Sequence, residues 1–342
     1  MLITMKRSAT ADQIQHVCDI IEAMGFEARP MPGGVRTAIG VVGNERPVSE
    51  APFRGLEGVS RVIAVSAPYK QVSREWRPKP TTIELKNGVV IGGPDVVVMG
   101  GPCAVESEQQ LMTAAKVVAE AGGVVLRGGA FKPRTSPYSF QGLGDRGLDL
   151  LAMAREEYGL AIITEAVDIE SADLVAEKAD IIQIGARNMQ NYGLLRHIAT
   201  KRKPVMLKRG MSATIKEWLL AAEYLLSGGN EQVILCERGI RGFDDATRNV
   251  MDVSAIAVVK ELSHLPVIAD PSHATGRRSL VAPVARASVA VGADGVIVET
   301  HPMPHEALSD GPQALFPNQF KDMVASLEAI AATMKRPLAA LA

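Results

Sequence analysis

The 342-residue sequence has almost no net charge: 37 Lys and Arg stand against 38 Asp and Glu. A global basic field, the footprint of a nucleic-acid partner, is therefore absent, and any anion binding must come from locally focused cations. Cysteine is scarce. Cys18, Cys103 and Cys236 lie too far apart for a disulfide framework, so each is a small buried residue or a ligand, and a reducing cytosol is expected. No apolar run reaches membrane-spanning length, and Met1–Met5 leads straight into Lys6 and Arg7 without a long apolar run behind them. Neither a signal peptide nor a membrane partner is expected, and the chain reads as soluble and cytoplasmic. Aromatics make up only 4%, yet apolar residues reach 47%, ample for a core. The length fits two domains, or one large α/β barrel with an appendage.

Residues 1–70 read as a small domain. Met1–Met5 is a strand, and Ile14, Val17, Ile20, Ile21 and Met24 form a helical stripe over Ala11–Met24 that Gly25 stops. Strands at Phe26–Met31, Val35–Val42 and Val59–Ser66, with a short polar segment around Val48–Leu56 in the place of the second helix, complete a β-α-β-β-α-β order. This is the ferredoxin-like plan, more often a sensing or oligomerising module than a catalyst. Residues 71–94 read as a proline-rich, mixed-charge linker followed by a hairpin turning at Asn87-Gly88. A hairpin just before a barrel can plug its lower mouth.

From residue 95 to the C-terminus a strand–loop–helix unit recurs. Its apolar strand cores are Val96–Met99, Val124–Leu126, Ala161–Ile163, Ile181–Ile184, Val205–Leu207, Val233–Leu235, Val267–Ala269 and Val296–Val298. Continuous apolar strands alternating with helices mean a parallel sheet buried on both faces. Eight units over about 245 residues match a (β/α)8 TIM barrel, so the expected fold is α/β, a TIM barrel carrying a small N-terminal ferredoxin-like α+β domain. A doubly wound sheet is the alternative.

All eight strand ends carry a polar or charged group, where barrel active sites lie. Arg127, Lys132 and Arg134 crowd one loop framed by Gly128, Gly129, Pro133 and Pro137, with Thr135 and Ser136 adding hydroxyls. Glycine lets backbone approach a ligand, and proline stiffens the loop. Arg187, Lys208 and Arg238 join them from strands four, five and six. Such a cluster implies a ligand with roughly four or five negative charges, as two phosphorylated substrates would supply, one of them also a carboxylate. Cys103, His273 and Glu299 sit at the ends of strands one, seven and eight, which are neighbours once a barrel closes. A lone buried Cys is usually core and a lone His usually satisfied, but thiolate, imidazole and carboxylate together suit a divalent transition metal. Asp310, in the loop after strand eight, is the expected fourth ligand.

Other residues read more plainly. Cys18 is core, Cys236 packing near the mouth, and His16, His197 and His264 surface residues. His301 and His305 stand near Glu299, in supporting or loop roles. Lys208 can in principle form a Schiff base, but among so many cations a phosphate or carboxylate contact is the better reading.

Gly101-Pro102-Cys103, the Arg127…Lys132-Pro133-Arg134-Thr135-Ser136 loop, Gly185-Ala186-Arg187, Leu207-Lys208-Arg209-Gly210, Asp270-Pro271-Ser272-His273 and Ser309-Asp310-Gly311 together resemble 3-deoxy-D-arabino-heptulosonate 7-phosphate (DAHP) synthases. The resemblance runs from about Thr82 to the C-terminus, and with the N-terminal domain it is closest to the type I beta branch. It implies an aldol-type condensation of phosphoenolpyruvate with erythrose 4-phosphate, opening the shikimate pathway to the aromatic amino acids. Phosphoenolpyruvate then falls to Arg127, Lys132, Arg187, Lys208 and Arg238, and the phosphate of erythrose 4-phosphate to Arg134 and Thr135. The two substrates bring about five negative charges, in line with the cation cluster. A metal on Cys103, His273, Glu299 and Asp310 is implied, Mn²⁺ first, with Fe²⁺, Co²⁺ or Zn²⁺ also suited. Glu165 is expected to position the attacking water and Lys132 to donate a proton. The branch also implies a homotetramer, with a dimer as alternative, and control by an aromatic amino-acid effector or a chorismate mutase partner. The related 3-deoxy-D-manno-octulosonate 8-phosphate synthases have an Asn-Arg-Ser form of the strand-two loop. Here that loop reads Lys132-Pro133-Arg134-Thr135-Ser136, and Cys103 is kept. A catalytically silent anion-binding sensor is the reading from outside enzymology.

Overall fold

In a computed structural model, residues 1–33, 36–44, 48–63, 68–133 and 136–341 are described. The chain divides into two compact units, Met1–Pro78 and Lys79–Ala342. The first runs β1 (Leu2–Met5), α1 (Ala11–Ala23), β2 (Glu27–Pro32), β3 (Thr37–Val42) and β4 (Val59–Ile63), in an antiparallel sheet ordered β2-β3-β1-β4. Thr10 begins α1 with a capping box, its hydroxyl accepting from Gln13 N while Gln13 returns the bond, and Gly25 ends it at φ 79°. Met1, Ile3, Met5, Val17, Ile21, Ile39 and Val41 close the core between helix and sheet.

The second helix of the expected plan does not form among the described residues. Residues 51–55 are turns that carry Phe53 into the core, and Gly55 and Gly58 follow at positive φ. The unit also extends past residue 70. Lys70 Nζ donates to Val41 O, Arg29 donates to Gln71, and the Trp76 ring lies where a Cβ on Gly40 would be. Gln71–Pro78 therefore packs on the sheet instead of linking.

The second unit opens with a hairpin, β5 (Ile83–Glu84) and β6 (Val90–Ile91), turned at Gly88 with φ 81°. Eight parallel strands follow: β7 (Val97–Gly101), β8 (Val125–Arg127), β9 (Ala161–Ala166), β10 (Ile181–Ile184), β11 (Val205–Lys208), β12 (Val233–Glu237), β13 (Val267–Ala269) and β14 (Gly295–Glu299). β14 pairs with β7 in register from Gly295 with Val97 to Glu299 with Gly101, which closes the barrel. The helices between them are α2 (Glu108–Glu120), α3 (Asp145–Tyr158), α4 (Ile169–Lys178), α5 (Tyr192–Ala199), α6 (Ile215–Ser227), α7 (Val253–Leu262), the short α8 (Pro271–Thr275) and α9 (Arg278–Ala290), with α10 (Pro317–Thr333) after β14.

Ile83, Leu85, Val89 and Ile91 of the hairpin pack against the inward-facing Val97, Met99, Ile181, Met206, Ile234, Ile268 and Ile297. The hairpin thus plugs the N-terminal mouth and leaves the opposite end for chemistry. The pattern over Ala246–Leu262 reads as one long helix, but helix starts only at Val253. An Ile240–Val250 bridge and bonds from Arg248 N to Thr275 O and Asn249 N to Ala274 O hold the preceding stretch as a loop.

Candidate active site

Each site residue is held by a local device at a strand's carboxyl end. Gly101, at φ 142°, closes β7, and a Cβ there would lie 2.0 Å from Arg127 O, so only glycine allows this approach. The chain then presents Cys103, whose carbonyl accepts from Gly129 N at 3.1 Å. Lys132 folds back over Gly129, its Nζ 2.9 Å from Cys103 O and 3.0 Å from Cys103 Sγ. Asp270 caps α8 by accepting from His273 N at 3.0 Å, with Pro271 in the first turn. Its other oxygen faces His273 Nδ1 at 2.8 Å, short in distance but not aligned as a hydrogen bond, and also takes Lys208 Nζ. That turns His273 Nε2 toward Glu299 Oε1 at 3.3 Å and Asp310 Oδ2 at 3.8 Å. Asp310 sits at φ 51°, tied to Arg248 at 3.1 Å.

Cys103, His273, Glu299 and Asp310 bring one donor atom each within 4.8 Å of one another. A soft sulfur, an imidazole and two carboxylates make a mixed set suited to a borderline divalent transition metal. The electrostatics agree. Burial, and then Glu299, push the Cys103 thiol up to about 11, against Lys132 and Arg127, so a bound cation is needed to free the thiolate. Burial also works against the Asp310 carboxylate, but His273 and Arg248 outweigh it and hold the carboxyl at about 2. For Asp270, burial is again overcome, by His273 and Lys208, and the group lies well below its ordinary range.

Beside this set lies a cavity of about 300 Å³ lined by Arg127, Lys132, Arg187, Lys208, Arg238 and Arg248, with Glu165 and Gln183 on its wall. Three of the six cations have carboxylate partners: Arg127 with Glu299, Lys208 with Asp270, Arg248 with Asp310. Lys132, Arg187 and Arg238 have none among the described residues. Arg238 is buried with its Nη1 unpartnered, a costly state unless a ligand oxygen completes it. The Glu165 carboxylate rests over Gly185, where a Cβ would stand 1.9 Å from its Oε1, and Gln183 Nε2 reaches it at 3.4 Å.

The structure therefore brings Cys103, Glu165, Arg127, Lys132, Arg187, Lys208, Arg238, His273, Glu299 and Asp310 to one mouth. Arg134 and Thr135 lie outside the described residues. Cys236 packs in the barrel core and Cys18 in that of the first unit. His301 is buried against Glu106 at 3.4 Å, while His305 is exposed. His264 is not a surface residue: it is buried, its Nδ1 2.7 Å from Thr81 Oγ1. Sequence reasoning missed Arg248, Gln183 and Gln313, which donates to Glu299 Oε2 at 2.7 Å. Gln183 carried a signal, as the lone polar residue of the buried strand Ile181–Ile184.

A closed barrel whose mouth sets three cations without carboxylate partners among the described residues beside four possible metal donors fits an enzyme of anionic substrates. Residues 80–336 match the DAHP synthetase I family and residues 1–67 the DAHP synthase ferredoxin-like domain, and the chain belongs to the DAHP synthetase I family. It is 48% identical over 331 residues to a phospho-2-dehydro-3-deoxyheptonate aldolase of Thermotoga maritima, covering 97% of this chain and 98% of that protein. A crystal structure of the Thermotoga maritima enzyme of that name superposes with a TM-score of 0.79 at 46% identity, covering 99% of each chain. A 2-dehydro-3-deoxyphosphooctonate aldolase of Syntrophotalea carbinolica is 32% identical over 275 residues, 75% of this chain and 98% of that protein. The better match is thus to the heptonate enzyme, and it includes the N-terminal unit.

Proposed function

We propose that the chain condenses phosphoenolpyruvate with D-erythrose 4-phosphate and water to give DAHP and phosphate, using a divalent metal held by Cys103, His273, Glu299 and Asp310. The observation that carries the reading is the set of cations without carboxylate partners among the described residues, Lys132, Arg187 and Arg238, in a cavity that the donors His273 and Asp310 also line. Three free positive charges match one phosphate plus one carboxylate, about −3 in all.

Arg127, Lys132, Arg187, Lys208 and Arg238 hold phosphoenolpyruvate through both anionic groups, Arg by forked donors and Lys by point charge. The phosphate of erythrose 4-phosphate is assigned to Arg134 and Thr135, in the same loop. A metal bound at the four donors supplies Lewis acidity toward the aldehyde oxygen. C3 of phosphoenolpyruvate forms the new bond to the aldehyde carbon, and Lys132, beside Cys103, gives a proton to the developing alkoxide. Glu165, fixed over Gly185, orients the water that adds at C2, and the C2–O bond to phosphate then breaks. Mn²⁺ is the first choice of metal. A cytoplasmic homotetramer, regulated through the N-terminal unit by an aromatic amino acid or a chorismate mutase partner, completes the proposal on the family resemblance. Among the described residues no helix is long and apolar enough to cross a membrane.

The test is loss of phosphoenolpyruvate on adding either erythrose 4-phosphate or arabinose 5-phosphate. Turnover with the four-carbon sugar supports the reading. Turnover confined to the five-carbon sugar moves the chain to the octulosonate activity. No turnover with either, despite tight phosphoenolpyruvate binding, favours a silent sensor.

A further inference from the structure

Two buried charges just behind the cavity have no part in that mechanism. Arg209, 4% exposed, follows Lys208 at the end of β11, and Glu237, fully buried, precedes Arg238 at the end of β12. Side chains alternate across a strand, so Lys208 and Arg238 line the cavity while Arg209 and Glu237 turn toward the helical layer. There they meet, Arg209 Nη1 lying 2.9 Å from Glu237 Oε2. Among the described residues, the pair's other side-chain hydrogen bonds and ion pairs fix backbone or a helix start. Arg209 Nε donates to Ala213 O at 2.9 Å, its Nη1 reaches the helix-capping Asp252 at 3.1 Å, and its guanidinium lies over Trp218. Trp218 Nε1 in turn donates to Leu207 O, just before Lys208. Glu237 Oε1 accepts from Gly239 N at 2.7 Å, just after Arg238. Gly239 stands at φ 87°, so the turn that aims Arg238 is closed by Glu237.

We propose that Arg209 and Glu237 are positioning residues that clamp the ends of β11 and β12 and set the separation at which Lys208 and Arg238 engage one ligand. A buried ion pair is seldom a net source of stability, and a hydrophobic pair of similar volume commonly does as well. A fixed spacing between two anion-binding cations is a different benefit, because preorganised donors need no rearrangement when the ligand arrives. The ligand class follows: a small molecule with two anionic groups in rigid relation, which gains from both cations at a fixed distance. A single-group anion gains much less. The inference rests on the assignment of phosphoenolpyruvate to this cavity.

The test uses the full chain and two probes, phosphoenolpyruvate and inorganic phosphate, with binding followed by calorimetry. Glu237→Gln keeps the volume and an acceptor for Gly239 N, but presents an amide NH₂ to Arg209. It is expected to weaken phosphoenolpyruvate binding by about tenfold while inorganic phosphate changes less than about threefold, so that the ratio of the two affinities falls. KM for phosphoenolpyruvate rises in parallel, and KM for the aldehyde phosphate stays put. Arg209→Lys, which keeps the charge but loses the fork, should fall between parent and Glu237→Gln. An unchanged affinity ratio in a folded variant overturns the proposal, and so does failure of both variants to fold, since the pair is then a requirement of folding. If the parent chain does not bind phosphoenolpyruvate, it is the functional assignment that has failed.

Discussion

Arg127 donates to Glu299 at 2.9 Å with both side chains buried, so the anion-binding cluster and the metal set share a hydrogen bond. Burial works against the Arg127 charge, but Glu299 and Cys103 hold the guanidinium above its ordinary value. Each half of the site therefore depends on the other for a buried ion-pair partner.

Arg127→Met tests this dependence. Leaving the buried Glu299 without its guanidinium partner, with Gln313 still donating to its other oxygen, should cost up to about 3–5 kcal/mol, seen as a lowered Tm. Added Mn²⁺ should recover part of that loss, because a cation again stands beside Glu299. Equal losses with and without metal would show that the two halves are independent.

Metal uptake should be proton-linked. With the Cys103 thiol near 11, binding at neutral pH displaces its proton, and apparent affinity should rise about tenfold per pH unit from roughly pH 7.5 to 9.5. Asp310, at about 2, is ionised throughout and adds no slope. A metal titration at several pH values reads this directly. Cys103→Ser is expected to abolish tight binding, and a flat profile in the parent would count against the thiolate ligand.

Arg248 holds Asp310 Oδ1 at 3.1 Å and Gln313 Oε1 at 3.2 Å. Arg248→Ala should let the Asp310 carboxyl rise from about 2 toward its ordinary value. Asp310 then protonates earlier as pH falls, so its own contribution to metal binding is lost at a higher, though still acid, pH. Metal affinity should drop by about tenfold, with phosphoenolpyruvate affinity changed much less. The opposite pattern would make Arg248 a substrate contact.

Gly185→Ala places a methyl 1.9 Å from the present position of Glu165 Oε1 and forces that carboxylate aside. A large loss of kcat at nearly constant KM for phosphoenolpyruvate is expected, matched by Glu165→Gln. Full activity in both variants would remove Glu165 from the water-positioning role.

Much of this was legible in the chain, for identifiable reasons. The barrel strands are buried on both faces and so read as unbroken apolar runs, with the chemistry collected at their carboxyl ends. Cys103 and Asp310 could be paired across 207 positions because barrel closure makes the first and last strands neighbours. Arg248 was hidden because its neighbourhood reads as the start of α7, whereas long-range backbone pairing with Ala274 and Thr275 fixes it. His264 was hidden for the same reason, its partner Thr81 lying 183 residues away. Where the ferredoxin-like order calls for a second helix, the described residues 51–55 turn instead, with Gly55 and Gly58 at positive φ and Phe53 still reaching the core.

The most direct measurement is phosphate release from phosphoenolpyruvate on adding erythrose 4-phosphate to EDTA-treated protein, before and after Mn²⁺. The account predicts no release from the stripped protein and full release once metal returns. Equal release before and after metal addition would contradict the role given to Cys103, His273, Glu299 and Asp310.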